Sequence, residues 1–329
     1  MTAKDKNINV FSFDTQQKIS DKEYYEFLQG GDYYDHDRYF PPRYNLALLN
    51  QSTYSASLHE SSINFKVGVI TSIFKKNQYL NVTQFNRFIT DYMIYGTAYL
   101  NTVRSKMGNI LSLNHLMAYY MRIGRKNNYF FVHPSNADKS QELKSDEVAV
   151  FKNYDSIQNV SGRPSYLSAL PSITLNKEAT YFRIKYYKNG SHAGFILSIN
   201  GEIEEQLFEN IKKELQQTKG SGNFRNLVLN IPKGNEKSIQ LIPISEVAAK
   251  DEFFNIKRVT DEDINTVHRV PPALLGVIPK NAGGFGKPSE HAAVFYQNEI
   301  LPLQVLLDDF NDQLGVKAFQ FNEYKIPTE

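Results

Sequence analysis

At 329 residues, 41% of them hydrophobic and 22% charged, the chain is globular in composition but long for one compact core, so two or three substructures are expected. A net charge of +2 argues against a dedicated sequence-specific nucleic-acid binder, which carries a basic excess. The absence of cysteine rules out disulfides, thiolate metal sites and cysteine nucleophiles. No stretch has the apolar core of a signal peptide or approaches the roughly eighteen apolar residues of a membrane span, so a chain neither exported nor membrane-embedded is expected.

Residues 1–30 are polar, with only "EYYEFLQ" carrying an apolar face, and predict a loosely ordered segment. "GDYYDHDRYFPPRYNLALL" then makes a turn-rich entry into the fold. Phe85, Phe88, Ile89, Tyr92 and Tyr95 recur at helical spacing and predict an amphipathic helix. "GTAYLNTVRSKMGNILSLNHL" and "YYMRIGRKNNYFFVHP" alternate and break at Gly108 and at Gly124 to Asn128, as strands joined by turns do. Leu175, Ala179, Phe182 and Tyr186 return to the helical period. Arg183, Lys185 and Lys188 suit the negative end of that helix, and Asn189-Gly190 supplies a stop.

A small α/β module follows, with "GFILSI" and "RNLVLNI" as strands. Between them Ile203, Leu207, Ile211 and Leu215 form a helical stripe, with glutamates early and lysines late, the order that the helix dipole favours. From Ser245, an N-cap, the positions Phe253, Ile256, Ile264 and Val267 keep one helical face. Thr260, three residues before Asp263, is a candidate second cap, and Pro271-Pro272 ends the helix. Pro288 fits the first turn of the longest helix, whose stripe is Tyr296, Ile300, Leu303, Leu307, Phe310 and Leu314. Over 288–314 such a helix spans roughly 40 Å. Pro302 lies inside it and removes the bond to the Asn298 carbonyl, so a kink is expected there.

The stretch "IPKNAGGFGKPSEHA", residues 278–292, tests for a phosphate loop and fails. The pattern G-x-x-x-x-G-K-[ST] would need glycine where Asn281 stands and a hydroxyl where Pro288 stands, and G-x-G-x-x-G would need glycine at Ser289. The residues alone leave an ordinary connecting loop or a mobile contact loop. Elsewhere, the seven histidines show no H-x-x-x-H pair, and no G-x-S-x-G elbow occurs. Asp32, Asp35, His36 and Asp37 offer oxygens for a cation but lack the glycine-centred calcium pattern, so a solvated turn is expected. No catalytic residue, metal or cofactor is expected. The 21 tyrosines and 22 phenylalanines are scattered, which favours core and inter-subunit packing over a base-stacking face.

Four stretches, "DYMIYGTAYLNTVRSKMGNI", "ATYFRIKYYKNGSHAGFILSI", "KGSGNFRNLVLNIPKG" and "VHRVPPALLGVIPKNAGGFGKPSEHAAVFYQNEILPLQ", together resemble the portal proteins of tailed bacteriophages, in the PBSX-type branch of temperate contractile-tailed phages. The resemblance runs in order from about Tyr39 to Gln304. It implies an α+β portal fold: a flexible segment at 1–30, a mixed α/β wing at 31–164, stem helices at 165–189 and 244–272, and a small α/β clip at 190–243. A channel loop at 273–288 and a long kinked wing helix with the C-terminal tail at 289–329 complete it, and the C-terminal crown of larger portals is expected to be small or missing.

The resemblance further implies a homo-oligomeric ring of twelve copies at the head vertex of the virion, assembled in the host cytoplasm. Double-stranded DNA would pass without sequence specificity, driven by the terminase large subunit. Further implied partners are the major capsid protein, the scaffold, and a neck or head-completion protein. Lys280, Asn281, Gly283, Gly284, Phe285, Gly286 and Lys287 would form the DNA-facing loop, and Glu205, Glu209, Lys213, Lys219 and Arg225 the clip surface that faces terminase and neck. The competing class, a nucleic-acid-processing enzyme such as a packaging ATPase, would need the phosphate motif that is missing.

Overall fold

A computed structural model of the chain describes residues 9–11, 38–132, 140–188, 195–200, 206, 227–231, 239–243, 246–277 and 287–325. The chain divides into two compact units, Met1–Ile19 with Leu175–Val259, and Ser20–Thr174 with Thr260–Glu329.

The larger unit opens with three helices, α1 (Leu46–Thr53), α2 (Ser57–Ile73) and α3 (Val82–Tyr95). Two of them start where an asparagine can cap: the side-chain oxygens of Asn45 and Asn81 accept from the backbone N–H of Leu48 and Gln84. The α3 face is the expected one, with Phe85, Phe88, Ile89, Tyr92 and Tyr95 all buried. It stops at Gly96, whose φ of +67° is the left-handed cap conformation. A Cβ at Gly96 would also stand 2.6 Å from the carbonyl carbon of Arg163, so the backbone of 162–164 can close over this corner only because the residue is glycine.

Two antiparallel three-stranded sheets follow. The first has β2 (Thr97–Arg104) between β3 (Ile110–Leu116) and β7 (Val148–Lys152); the second has β5 (Asn128–Phe131) between β4 (Met121–Ile123) and β6 (Gln141–Lys144). The breaks expected at Gly108 and at Gly124 to Asn128 are the two hairpin turns, with Gly108 and Asn127 both at positive φ. The core gathers the scattered aromatics: Phe74 stacks on Phe85, and Phe88, Phe151, Phe310 and Phe319 pack against one another with tilted rings, their centroids 5.3–5.9 Å apart.

Helix α4 (Leu170–Lys188) begins earlier than its apolar period indicated, with Pro171 in the first turn. The expected stripe is corrected: Leu175 is half exposed, and the fully buried line runs Leu170, Ile173, Asn176. Asn176 interrupted the hydrophobic count because it accepts a hydrogen bond, 2.7 Å, from the Lys257 ammonium of the helix α5 (Glu246–His268). That helix runs unbroken through Thr260, which is buried within it, so the second cap proposed there is not formed. Ser172 in turn donates to Asp263 at 2.7 Å.

In the smaller unit four strands make one sheet in the order β1 (Asn9–Phe11), β9 (Leu227–Ile231), β8 (Phe195–Asn200), β10 (Ile239–Pro243). The β8–β9 pair is parallel and its neighbours antiparallel, and residues 201–226 supply the long crossover that a parallel pair requires. Asn9–Phe11 fall in the segment read as loose from its polarity; they pair antiparallel with β9, backbone bonding that a composition count does not register.

The final helical stretch runs from Pro288 to Leu314 as α6 (Pro288–Phe295), a π segment (Tyr296–Ile300) and α7 (Leu301–Leu314). The irregularity expected at Pro302 is absorbed as this π turn: the Leu301 N–H bonds to the Tyr296 carbonyl, five residues back. Of the predicted stripe, Ile300, Leu303, Leu307 and Phe310 are buried.

Candidate functional site

Lys280, Asn281, Gly283, Gly284, Phe285 and Gly286 lie outside the described residues, as do Glu205, Glu209, Lys213, Lys219 and Arg225, and the acidic group Asp32, Asp35, His36 and Asp37. Of the predicted DNA-facing residues only Lys287 is described. It holds the N-cap position of α6 in an extended conformation, and its carbonyl accepts from the N–H groups of Glu290 and His291. What the structure does describe is the chain on either side of residues 278–286.

On the upstream side α5 ends at His268, and Arg269 follows with φ +54°, a left-handed conformation uncommon away from glycine. The chain then buries Val270, makes a 3-10 turn over Pro272–Leu275, and leaves through Gly276 at φ +70°. Prolines at 271 and 272 have no N–H to continue the helix, so the exit is set locally. On the downstream side Pro288 starts α6, where a missing N–H costs nothing.

Both sides brace against α2. His59 of α2 and His268 of α5 are fully enclosed, and His59 Nδ1 lies 2.8 Å from His268 Nε2. Tyr166 packs its ring on both and donates its hydroxyl to the Ile94 carbonyl. A hydrogen bond between two imidazoles needs one N–H and one lone pair, so both cannot be charged, and burial pushes both pKa values well below the ordinary imidazole range. His59 Nε2 has no partner. The less costly tautomer makes it a bare lone pair, with Nδ1–H donating to His268.

Two turns further along α2, Lys66 is only 8% exposed and meets Glu299 of the π segment at 2.8 Å. Arg269 reaches the other oxygen of Glu299 at 3.2 Å from its exposed side. Burial lowers the Lys66 pKa, and the Glu299 carboxylate opposes that shift. Phe65 of α2 completes the brace against Phe295, with ring centroids 5.3 Å apart. The π turn thus has a consequence: it carries Glu299 on the register that joins Lys66 and Arg269.

Sequence patterning did not single out His59, Lys66, Arg269 or Glu299. A signal was present for one of them, since Lys66 sits between Ile63, Val67 and Ile70 on an apolar helical face, where a lysine must find a partner. The pair His59 and His268 is 209 positions apart, beyond any local pattern. The arrangement is chemically quiet: two enclosed neutral imidazoles, a compensated lysine and packed aromatic rings hold two chain ends in place. Among the described residues no group of three or more histidines and carboxylates could hold a metal ion.

The description of the phage portal protein family matches residues 46–326. A probable portal protein of Escherichia phage P2 is 33% identical over 334 aligned residues, covering 100% of this chain and 95% of that protein. A probable portal protein of Haemophilus phage HP1 is 31% identical, covering 84% and 81%. Among solved structures, a chain from the neck of the native gene transfer agent particle, computed with C12 symmetry, aligns at TM-score 0.60 and 16% identity over 90% of this chain and 86% of that one. The HK97 family phage portal protein from Corynebacterium diphtheriae aligns at TM-score 0.57 and 11% identity over 83% and 95%. The distant structures establish the α+β portal fold, and with the sequence matches over most or all of its length the chain belongs to the phage portal protein family.

Proposed function

We propose that this portal protein of a tailed phage assembles as a ring of twelve at the head vertex, conducts double-stranded DNA inward under the terminase motor and outward at ejection, and carries no catalytic residue of its own. The observation that carries the reading is identity of one residue in three across the whole chain to the probable portal protein of phage P2. The twelvefold symmetry of the neck containing one structural relative supports the ring.

Within that reading 31–164 and 289–329 form the wing, α4 and α5 the stem, 190–243 the clip facing terminase and neck proteins, and 273–288 the channel loop. The braced frame of His59, His268, Lys66 and Glu299 suits a loop that must meet moving DNA while its ends stay fixed. Lys280 and Lys287 would touch phosphates, contacts that position DNA without reading sequence, and near-neutral net charge lets the cargo slide.

The test is DNA packaging into heads that carry variants. Replacing Lys280 and Lys287 together by alanine is expected to leave ring assembly intact, shift stability by under about 0.5 kcal/mol, and shorten the DNA retained late in packaging. Reversing Glu205 and Glu209 to lysine is expected to weaken terminase pull-down with rings intact. Full-length retention in the first variant and undiminished terminase capture in the second would remove the loop and the clip from these roles.

A further inference from the structure

A second polar feature lies away from the loop, in a cleft of the larger unit between the chain entry at Phe40 to Leu46, the strand β2 and the turn at Val160 and Ser161. Arg122 of β4 lines it and is only 8% exposed. A guanidinium does not deprotonate in proteins, so burying it without an opposing charge costs several kcal/mol. Yet Arg122 makes no ion pair with any described residue. Its Nη1 donates to the carbonyls of Tyr119 and Met121, at 2.9 and 2.8 Å, which orients the group without neutralising it. Its Nε is buried with no partner, and no described residue bonds to Nη2. Nε and Nη2 together are the edge of the guanidinium whose two parallel N–H bonds match the two oxygens of a carboxylate.

The same cleft holds a second buried orphan, the hydroxyl of Ser161. Its backbone is pinned by Gln158, which accepts from Ser161 N–H at 2.9 Å and donates to the Ser161 carbonyl at 2.6 Å, so the hydroxyl is held in place rather than adrift. The carboxylate closest in sequence to this turn, Asp155, is committed elsewhere, accepting from the Tyr44 hydroxyl, the Gln158 amide and the Ile157 N–H. The remaining walls are largely apolar, including Phe40, Leu46, Met121 and Val160. The space open to the centres of water-sized groups is about 30 Å³, against roughly 10–15 Å³ for a single water. That admits a carboxylate group, whose stem would lie toward the open side of the cleft, and excludes a nucleotide or sugar.

We propose that this cleft is a carboxylate-binding site, in which Nε and Nη2 of Arg122 grip the two oxygens, the Ser161 hydroxyl donates to one of them, and the stem lies toward the open side. The carboxylate is either a small free one or an Asp or Glu side chain presented by a second copy of this chain, and the chemistry of the cleft is the same for both.

The experiment uses the full chain, as monomer and as assembled ring, titrated with sodium propionate at constant ionic strength, with chloride and inorganic phosphate as controls. The readouts are melting temperature and calorimetric affinity. Propionate, and neither control, is expected to give a saturable rise in melting temperature in the monomer. Arg122→Met is expected to lose that rise, and Ser161→Ala to keep it with affinity weaker by about tenfold, one lost hydrogen bond's worth. A rise in the monomer that disappears in the ring assigns the carboxylate to the neighbouring copy, and a rise in both assigns it to a free ligand. The ring arm rests on the assembly proposed above; if no ring forms, that reading fails and the monomer arm still reads the cleft. No saturable rise in the monomer, an equal rise with phosphate, or an unchanged rise in Arg122→Met would overturn the site. Should Arg122→Met fail to fold, an affinity in Ser161→Ala equal to that of the parent chain has the same force.

Discussion

Lys66, Glu299 and Arg269 show how much depends on single charged atoms at the foot of the loop. Lys66 is the enclosed partner, so removing Glu299 leaves its ammonium without compensation. Glu299→Ala is expected to destabilise the protein by about 3–5 kcal/mol, whereas Lys66→Met combined with Glu299→Gln is expected to recover most of the loss, because no charge is then left buried and unpaired. Urea unfolding midpoints of the single and double variants measure the difference.

The imidazoles of His59 and His268 give a pH dependence whose sign follows from their depressed pKa values. Above the unfolded value of about 6.5 both states hold these rings neutral and nothing is lost. As pH falls below it the unfolded chain takes up protons that the folded chain refuses. Stability then declines by about 1.4 kcal/mol per pH unit for each fully titrating ring, until the folded pKa values are reached. Replacing His59 and His268 together with Gln is expected to flatten the fall between pH 6.5 and 4.5, measured as unfolding free energy against pH. An unchanged slope would detach the pair from acid stability.

At the scale of elements, the corner joining α3 to β2 is tightly constrained. Gly96 sits at positive φ under the backbone of Arg163 and Pro164, and a Cβ at Gly162 would fall 1.9 Å from the Gly96 carbonyl oxygen. Gly96→Ala adds a left-handed penalty of roughly 1–2 kcal/mol to a clash with backbone that cannot step aside, so a loss above about 2 kcal/mol is expected in thermal or urea unfolding.

The same elements show what a linear pattern can and cannot carry. Helix α3 was legible because one buried face repeats at a fixed period, both hairpins because their turns fall on residues that tolerate positive φ, and the strands β8 and β9 because each is a short apolar run. Legibility failed where a polar residue is buried by a distant partner. Asn176 with Lys257 hid the true face of α4, and Lys66 with Glu299 hid the frame of the loop. It failed again where packing outweighs a local cap signal, at Thr260, and where an edge strand pairs through its backbone with a strand far along the chain, at Asn9–Phe11. At Pro302 the expectation was a kink, and what stands beside it is a π turn that depends on the Leu301 to Tyr296 bond, which no composition rule specifies.

At the scale of the whole molecule, a chain of the portal family exposes apolar side chains along α6 and α7, among them Val294, Val305 and Leu306, which no described residue covers. A rotational ring uses two different surfaces on every subunit, so exposed faces of this kind are expected on an isolated chain. The central claim, a closed ring conduit, is tested most directly by the mass of the assembled particle together with an image down its axis. A particle of twelve subunits with a central channel is the predicted result; a monodisperse monomer at high concentration under every salt condition, or an assembly without an axial channel, would contradict it.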